Sequence, residues 1–172
     1  KLRNQLLRYA VSGPAFVPYI GDADIACELY SDREIHGCDL DPDRVRTAQD
    51  RIENGTVTHC EAEQYPFGDA EYAIADFDAY ANPYPAIEHF WKHARRKKQI
   101  IIFGTDGRRQ RIQRGRTVVA MPDGPEDING DWRQQANFWW KDDVVPWLTE
   151  LFRPLVITQE HKYNRATMLY WG

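Results

Sequence analysis

The sequence predicts an α/β protein: a doubly wound, mostly parallel sheet that ends in an antiparallel hairpin. Three observations predict it. Short apolar runs alternate with amphipathic segments in the order β-α-β-α-β-(α)-β-α-β-α-β-β, and such alternation argues parallel strands joined by helical crossovers. KQIIIFGT (98–105) is apolar without interruption through its centre, as a strand covered on both faces should be. The last two strand candidates, PLVITQEHKY and ATMLYWG, are separated by little more than Asn164-Arg165, and a connection that short permits only a hairpin.

Taken in order, KLRNQLLRYAVSG (1–13) reads as an N-terminal helical extension ending by residue 14. AFVPYIG (15–21) is the first strand and DADIACELY the helix after it. EIHGCDL (34–40) is the second strand. The following helix opens with Asp41 as N-cap and Pro42 at the first helical position, and it closes on Asn54-Gly55. TVTHCEAE and EYAIADFD are strands three and four. Pro83–Lys97 carries Ile87, Phe90, Trp91 and Ala94 at helical spacing. Residues 107–140 form an insertion on the substrate side, with MPDGPEDINGDW a loop by composition and FWW (138–140) core or lid packing. KDDVVPWLTELF is a helix with Pro146 near its first turn. The whole, 1–172, is one domain.

Composition restricts the class further. At 42% hydrophobic and 28% charged residues the chain reads as a soluble globular protein, and no apolar run approaches the ~20 residues of a membrane span. The N-terminus lacks the apolar block of a secretory signal. Cys27, Cys38 and Cys60 show no CxxC spacing, so buried free thiols in a reducing, cytoplasmic setting are expected. His89 and His93 stand at i, i+4 with no acidic ligand motif beside them, which reads as a solvated helix face and not a metal site. A net charge of −4 gives no global attraction to nucleic acid, yet ten Lys or Arg fall between Lys92 and Arg116 against one acid, Asp106.

In a doubly wound sheet the ligand lies beyond the carboxyl ends of the strands, and four loops there carry candidate chemistry. PYIGDADIA follows strand one. Gly21 lets backbone approach a ligand closely, with Tyr19 and Asp22 beside it. The GxGxxG fingerprint of dinucleotide binding is absent, which argues against a nicotinamide oxidoreductase. Asp22 and Asp24 disfavour a diphosphate and suit a cationic ligand; a helix-capping role for either acid is the alternative. Asp39 ends strand two and can accept from both hydroxyls of a ribose, since Asp41 already serves as the helix cap. After strand three, Glu61 and Ala62 offer an acceptor and a small neighbour, although a solvated Glu61 is the competing reading. Strand four ends in ADFDAYANPY (75–84), where two carboxylates and a Tyr leave a strand aimed into a core. Burying such acids is unfavourable unless they are paired.

These loops resemble those of class I S-adenosylmethionine (SAM)-dependent methyltransferases from about Ala15 to the C-terminus. HGCDLDPDRV is similar to the family's second motif, and PYIGDADIA to a degenerate glycine-rich loop, with Ala23 at a usual glycine position and Val17 where many members carry an acid. The resemblance implies a Rossmann-like fold and SAM as cofactor. It implies that Tyr19, Gly21, Asp22, Asp39, Leu40, Glu61, Ala62 and Asp76 bind that cofactor, Leu40 packing on adenine. DFDAYANP is similar to the Asp-x-Asp-Pro-Tyr-x-x-Pro motif of tRNA guanine dimethyltransferases, with Ala79 in place of a Pro, and Thr105-Asp106 resembles the Thr-Asp after their fifth strand. This implies Asp78, Tyr80 and Asp76 as catalytic residues and Asn82 and Pro83 as substrate contacts. The expected reaction is methylation of a nitrogen on a nucleic acid base or another amine. A fold that has lost cofactor binding, or an enzyme of small molecules, is the alternative. Arg108, Arg109 and Arg111, after strand five, would meet the phosphates of an RNA or DNA acceptor.

Overall fold

The computed structural model describes residues 2–79, 82–105 and 139–153, and the backbone of 157–163 and 166–171. Five parallel strands, β1 (Ala15–Pro18), β2 (Ile35–Asp39), β3 (Gly55–His59), β4 (Glu71–Phe77) and β5 (Arg95–Gly104), lie in the order β3-β2-β1-β4-β5. The reversal of direction at β1/β4 opens a crevice where β1, β2 and β4 end. Two further strands, β6 (Ile157–Tyr163) and β7 (Ala166–Trp171), form the expected antiparallel hairpin, with β7 alongside β5.

Two apolar layers cover the sheet. On one face α1 (Leu2–Leu7), α2 (Asp24–Tyr30) and α3 (Pro42–Arg51) pack through Tyr30, Ala48 and partly buried Leu6 and Leu7 against Ala15, Val17, Ile74 and Phe103. On the other, α4 (Tyr84–His93) and α5 (Val145–Leu151) deliver Phe90 and Leu148 onto Phe16, Tyr72 and Phe77. Phe16 stacks on Phe90 with ring centroids 4.9–6.0 Å from five aromatic neighbours in all, a geometry that adds to area burial. Along β4, alternation sends Ala75 and Phe77 to one layer and Ile74 to the other, and a register shift between Tyr72 and Ile74 puts Tyr72 with the first. Asp76 therefore points into the layer of α1 and α2. Trp139 and Trp140 are buried in a π-helical turn ahead of α5, in keeping with core packing.

Local chemistry sets the element ends. Asp41 accepts from the backbone N–H groups of Asp43 (2.9 Å) and Arg44 (3.4 Å), so α3 starts where expected. Gly55 opens β3 at φ 145°, with its α-carbon so close to the Ile35 carbonyl that a Cβ would collide with backbone. On the outer rim of β3, the Gln49 side chain of α3 accepts from the Val57 N–H (2.8 Å) and donates to the Gly55 carbonyl (3.5 Å). One boundary differs from expectation. The helix placed over Pro83–Lys97 ends at His93, and Arg95 already belongs to β5. The Arg96 guanidinium caps the carbonyls of Trp91 (2.6 Å) and Ala94 (2.7 Å) while lying 3.9 Å over the Trp91 ring. The KHARRKK run (92–98) is thus shared between a helix end and a strand.

Candidate functional site

The loop between β1 and α2 has an unusual backbone. Tyr19 (φ 59°), Gly21 (φ 56°) and Ala23 (φ 64°) all adopt the left-handed region, at every second position. For residues with a Cβ this conformation costs roughly 1–2 kcal/mol each, and such strain persists only where the surroundings enforce it. Ala23 has no exposed surface, and its N–H donates to the Ile20 carbonyl at 3.0 Å. The turn thus holds a glycine-type path with one glycine in it. Neither Asp22 nor Asp24 caps α2, whose N-cap is Ala23 without a side-chain bond. Instead Asp24 pairs with Arg51 (2.6 Å), which also donates to the Asp22 carbonyl (2.5 Å) and fastens the loop to α3.

Asp39 faces this turn from the end of β2. Its Oδ2 accepts from the Gly21 N–H at 3.0 Å and its Oδ1 from the Asp41 N–H at 3.0 Å. A carboxylate has about four lone-pair sites, so two remain for a ligand. Leu40 beside it is 62% exposed, a bare apolar surface next to a fixed carboxylate. Beyond β3, Ala62 is buried at the start of a 3₁₀ turn and Glu61 is exposed, accepting from Gln64 at 2.7 Å. These residues fit an adenosyl group: acceptors for ribose hydroxyls, an apolar face for a ring, and a small residue at the edge.

Tyr19 reaches from the end of β1 to the segments that follow β3 and β4. Its hydroxyl lies 3.4 Å from Glu63 Oε1 and 3.5 Å from the Asn82 carbonyl. Burial, reinforced by the Glu63 charge, raises the phenol well above its ordinary pKa, so it stays a donor. Asn82 accepts from the Tyr84 N–H at 3.2 Å and so sets the start of α4, while Pro83 is buried there.

At the end of β4 the two acids part. Asp78 has a side chain 33% exposed and stands at the open edge. Asp76 takes a different place from the one expected. It has no exposed surface, and its oxygens accept from the Tyr30 hydroxyl (2.6 Å) and from Arg3 Nη2 (2.9 Å). Strand alternation turned it inward, and its partners come from α2 and α1. Burial pushes its carboxyl above the usual range, opposed by the Arg3 charge and the Tyr30 hydrogen bond. For Arg3, burial works against the charge, but Asp76 and Asp78 outweigh it and hold the guanidinium above its ordinary value. Arg3 Nη2 also reaches Asp78 Oδ2 at 3.4 Å. Tyr80, Arg108, Arg109 and Arg111 lie outside the described residues.

Sequence reading missed Arg3, Tyr30 and Glu63. Nothing in KLRNQLL marks Arg3 as the partner of an acid 73 residues away; that pairing follows from where α1 docks. Glu63 lies two residues beyond Glu61 and carried a weaker signal than its neighbour.

Strand order, helices on both faces and the terminal hairpin define the Rossmann-like fold of class I methyltransferases. Solved structures with this fold include the PH0226 protein from Pyrococcus horikoshii OT3 (TM-score 0.62, 17% identity, 99% of this chain and 87% of that one). N-methyltransferase NodS from Bradyrhizobium japonicum WM9 is similar over 99% of this chain and 93% of its own (TM-score 0.61, 11% identity). The plantazolicin methyltransferase BpumL, solved in complex with SAH, is similar over 98% and 78% (TM-score 0.60, 8% identity). Some solved neighbours are longer, and the chain spans 43–45% of their length. No protein-family model matches the sequence, and no curated protein matches it.

Proposed function

We propose that this chain is a SAM-dependent methyltransferase acting on a nitrogen, with the cofactor held between the β1 turn and Asp39 and the acceptor at Asp78. The observation that carries the reading is the left-handed turn of Tyr19, Gly21 and Ala23 locked to the Asp39 carboxylate. It fixes the backbone of the turn beside a carboxylate that retains two acceptor sites for the hydroxyls of a nucleoside. In a fold whose ligands lie at the strand ends, this supports Gly21, Asp39, Leu40 and Ala62 as the adenosyl contacts, with Glu61 at the ring's edge.

Held by Gly21, Asp39 and Leu40, SAM would supply an activated methyl group, its S–CH3 bond electrons staying on sulfur as the acceptor nitrogen took the carbon and then shed a proton. The residues need only position and stabilise. Well-oriented reactants gain up to ~7–11 kcal/mol from placement alone. Asp78, one-third exposed at the strand end, would accept an amine N–H and stabilise the positive charge as it grows. Tyr80 would orient the acceptor, as the similarity of DFDAYANP to the guanine dimethyltransferase motif supports, and Asn82 and Pro83 would shape the wall beside it. An exocyclic amine of a nucleic acid base is the acceptor that this similarity favours.

Isothermal titration tests the reading. SAM and S-adenosylhomocysteine (SAH) should bind while NADH does not, and Asp39→Ala should weaken SAH by at least about tenfold with the fold retained. Asp78→Ala and Tyr80→Phe should depress turnover and leave SAH affinity near normal. Absence of SAM and SAH binding would favour the second reading, a methyltransferase-like module without cofactor. Its specific support is Val17, buried where many members place an acid, and Tyr19, whose side chain reaches the segment that follows β4.

A further inference from the structure

The N-terminal helix reaches the crevice through one residue. Arg3 Nη2 lies between Asp76 Oδ1 (2.9 Å) and Asp78 Oδ2 (3.4 Å), and its guanidinium stands 5.8 Å over the Phe103 ring. Tyr30 holds the far side of Asp76 at 2.6 Å, so the chain of contacts runs from the interior outward: Tyr30, Asp76, Arg3, Asp78. Arg3 Nε is buried without a hydrogen-bond partner among the described residues, which is unfavourable by itself. Arg3 is therefore placed by the two carboxylates and not by saturation of its donors. Two carboxylates meet one guanidinium here, and the group left over at the open edge is the Asp78 carboxylate.

We infer that Arg3 is a specificity-determining residue, setting the charge at the acceptor edge and thereby how strongly the site distinguishes a cationic methyl donor from its neutral demethylated product. The inference rests on the proposed function, since the two ligands are SAM and SAH. They differ at this end of the molecule by a methyl group and one positive charge. With Arg3 in place, Asp78 is partly compensated, and preference for the cation is moderated. That lowers the affinity for the donor relative to the product, so the ratio of the two affinities is the direct readout. Attraction between a fixed charge and a nearby ligand charge falls inversely with distance and with screening. A group that acted only through folding would change both affinities alike.

The experiment is titration of SAM and of SAH into the full chain and into Arg3→Gln, Arg3→Lys and Asp78→Asn. Arg3→Gln should shift the affinity ratio towards SAM by about threefold or more, Arg3→Lys should keep the parent ratio, and Asp78→Asn should shift it towards SAH. If Arg3→Gln fails to fold for want of a partner to Asp76, the comparison is repeated between Asp76→Asn and Arg3→Gln/Asp76→Asn, where no buried carboxylate is left unpaired. The same shift is expected there. An unchanged ratio in the folded variants overturns the role of Arg3 while leaving the methyltransferase reading intact. Failure of the parent chain to bind either ligand overturns that reading itself.

Discussion

Ala23 has no exposed surface and a left-handed backbone, so its methyl group is packed and strained at once. Glycine there relieves roughly 1–2 kcal/mol of left-handed strain, less the ~0.4–1 kcal/mol that a freer unfolded chain gives back. Ala23→Gly should accordingly be neutral or stabilising by up to about 1 kcal/mol in urea unfolding. Ala26→Gly, three residues on inside α2, should be destabilising by about 1 kcal/mol. Equal losses at both positions would show that the turn is not strained. This conformation was hidden from sequence reading because its usual mark, glycine at alternate positions, survives only at Gly21. Asp39 was legible, since the Asp41-Pro42 helix start left it without a capping duty. Its bond to the Gly21 N–H was not, because it depends on how two loops meet.

At the scale of the element, α1 is a six-residue helix, too short to persist on its own propensity. Its place comes from Leu6 and Leu7 on the core and from Arg3 on Asp76. Removing one partner of such a buried pair is destabilising by about 3–5 kcal/mol, and here the loss carries a pH signature. The Asp76 carboxyl is already raised in the folded protein, so its neutral form is favoured by folding. The associated stability is present below the unfolded value of about 3.9 and is lost as pH rises through the folded pKa. Arg3 limits this rise; Arg3→Gln should move the folded value further up. The deficit of the variant against its parent should therefore widen as pH rises from the folded Asp76 pKa of the parent to that of the variant, by about 1.4 kcal/mol for each unit of added shift. A deficit constant across that range would exclude Asp76 as the titrating group. Elements themselves were well signalled, strands by apolar runs and α3 by its cap. The end of α4 was not, because a guanidinium three residues past the helix closes it, and propensity favours continuing through KHARRKK.

For the molecule as a whole, the net charge of −4 opposes a polyanion, and any attraction must come from the arginines after β5. If the acceptor is RNA or DNA, replacing Arg108, Arg109 and Arg111 with Gln should lower the slope of log affinity against log salt, with SAH affinity spared. The expected decrease on a single strand is roughly 0.7 for each phosphate no longer neutralised. Binding that ignores salt would point to a small molecule or a protein as acceptor. The fold was legible as a whole because alternation and one very short connection leave few topologies. Candidate site residues stood out in the sequence only where a strand end carried a charge on its own, as at Asp39 and Asp78. The Tyr30–Asp76–Arg3 group joins three elements, and no one of them announces it. The same dependence on neighbours governs the outer rim of β3, where Gln49 occupies the Val57 N–H and reaches the Gly55 carbonyl. A free strand margin is a template on which another polypeptide can add; here the helix that follows β2 has taken the template's place, so a second chain would first have to evict an amide side chain already fitted to it.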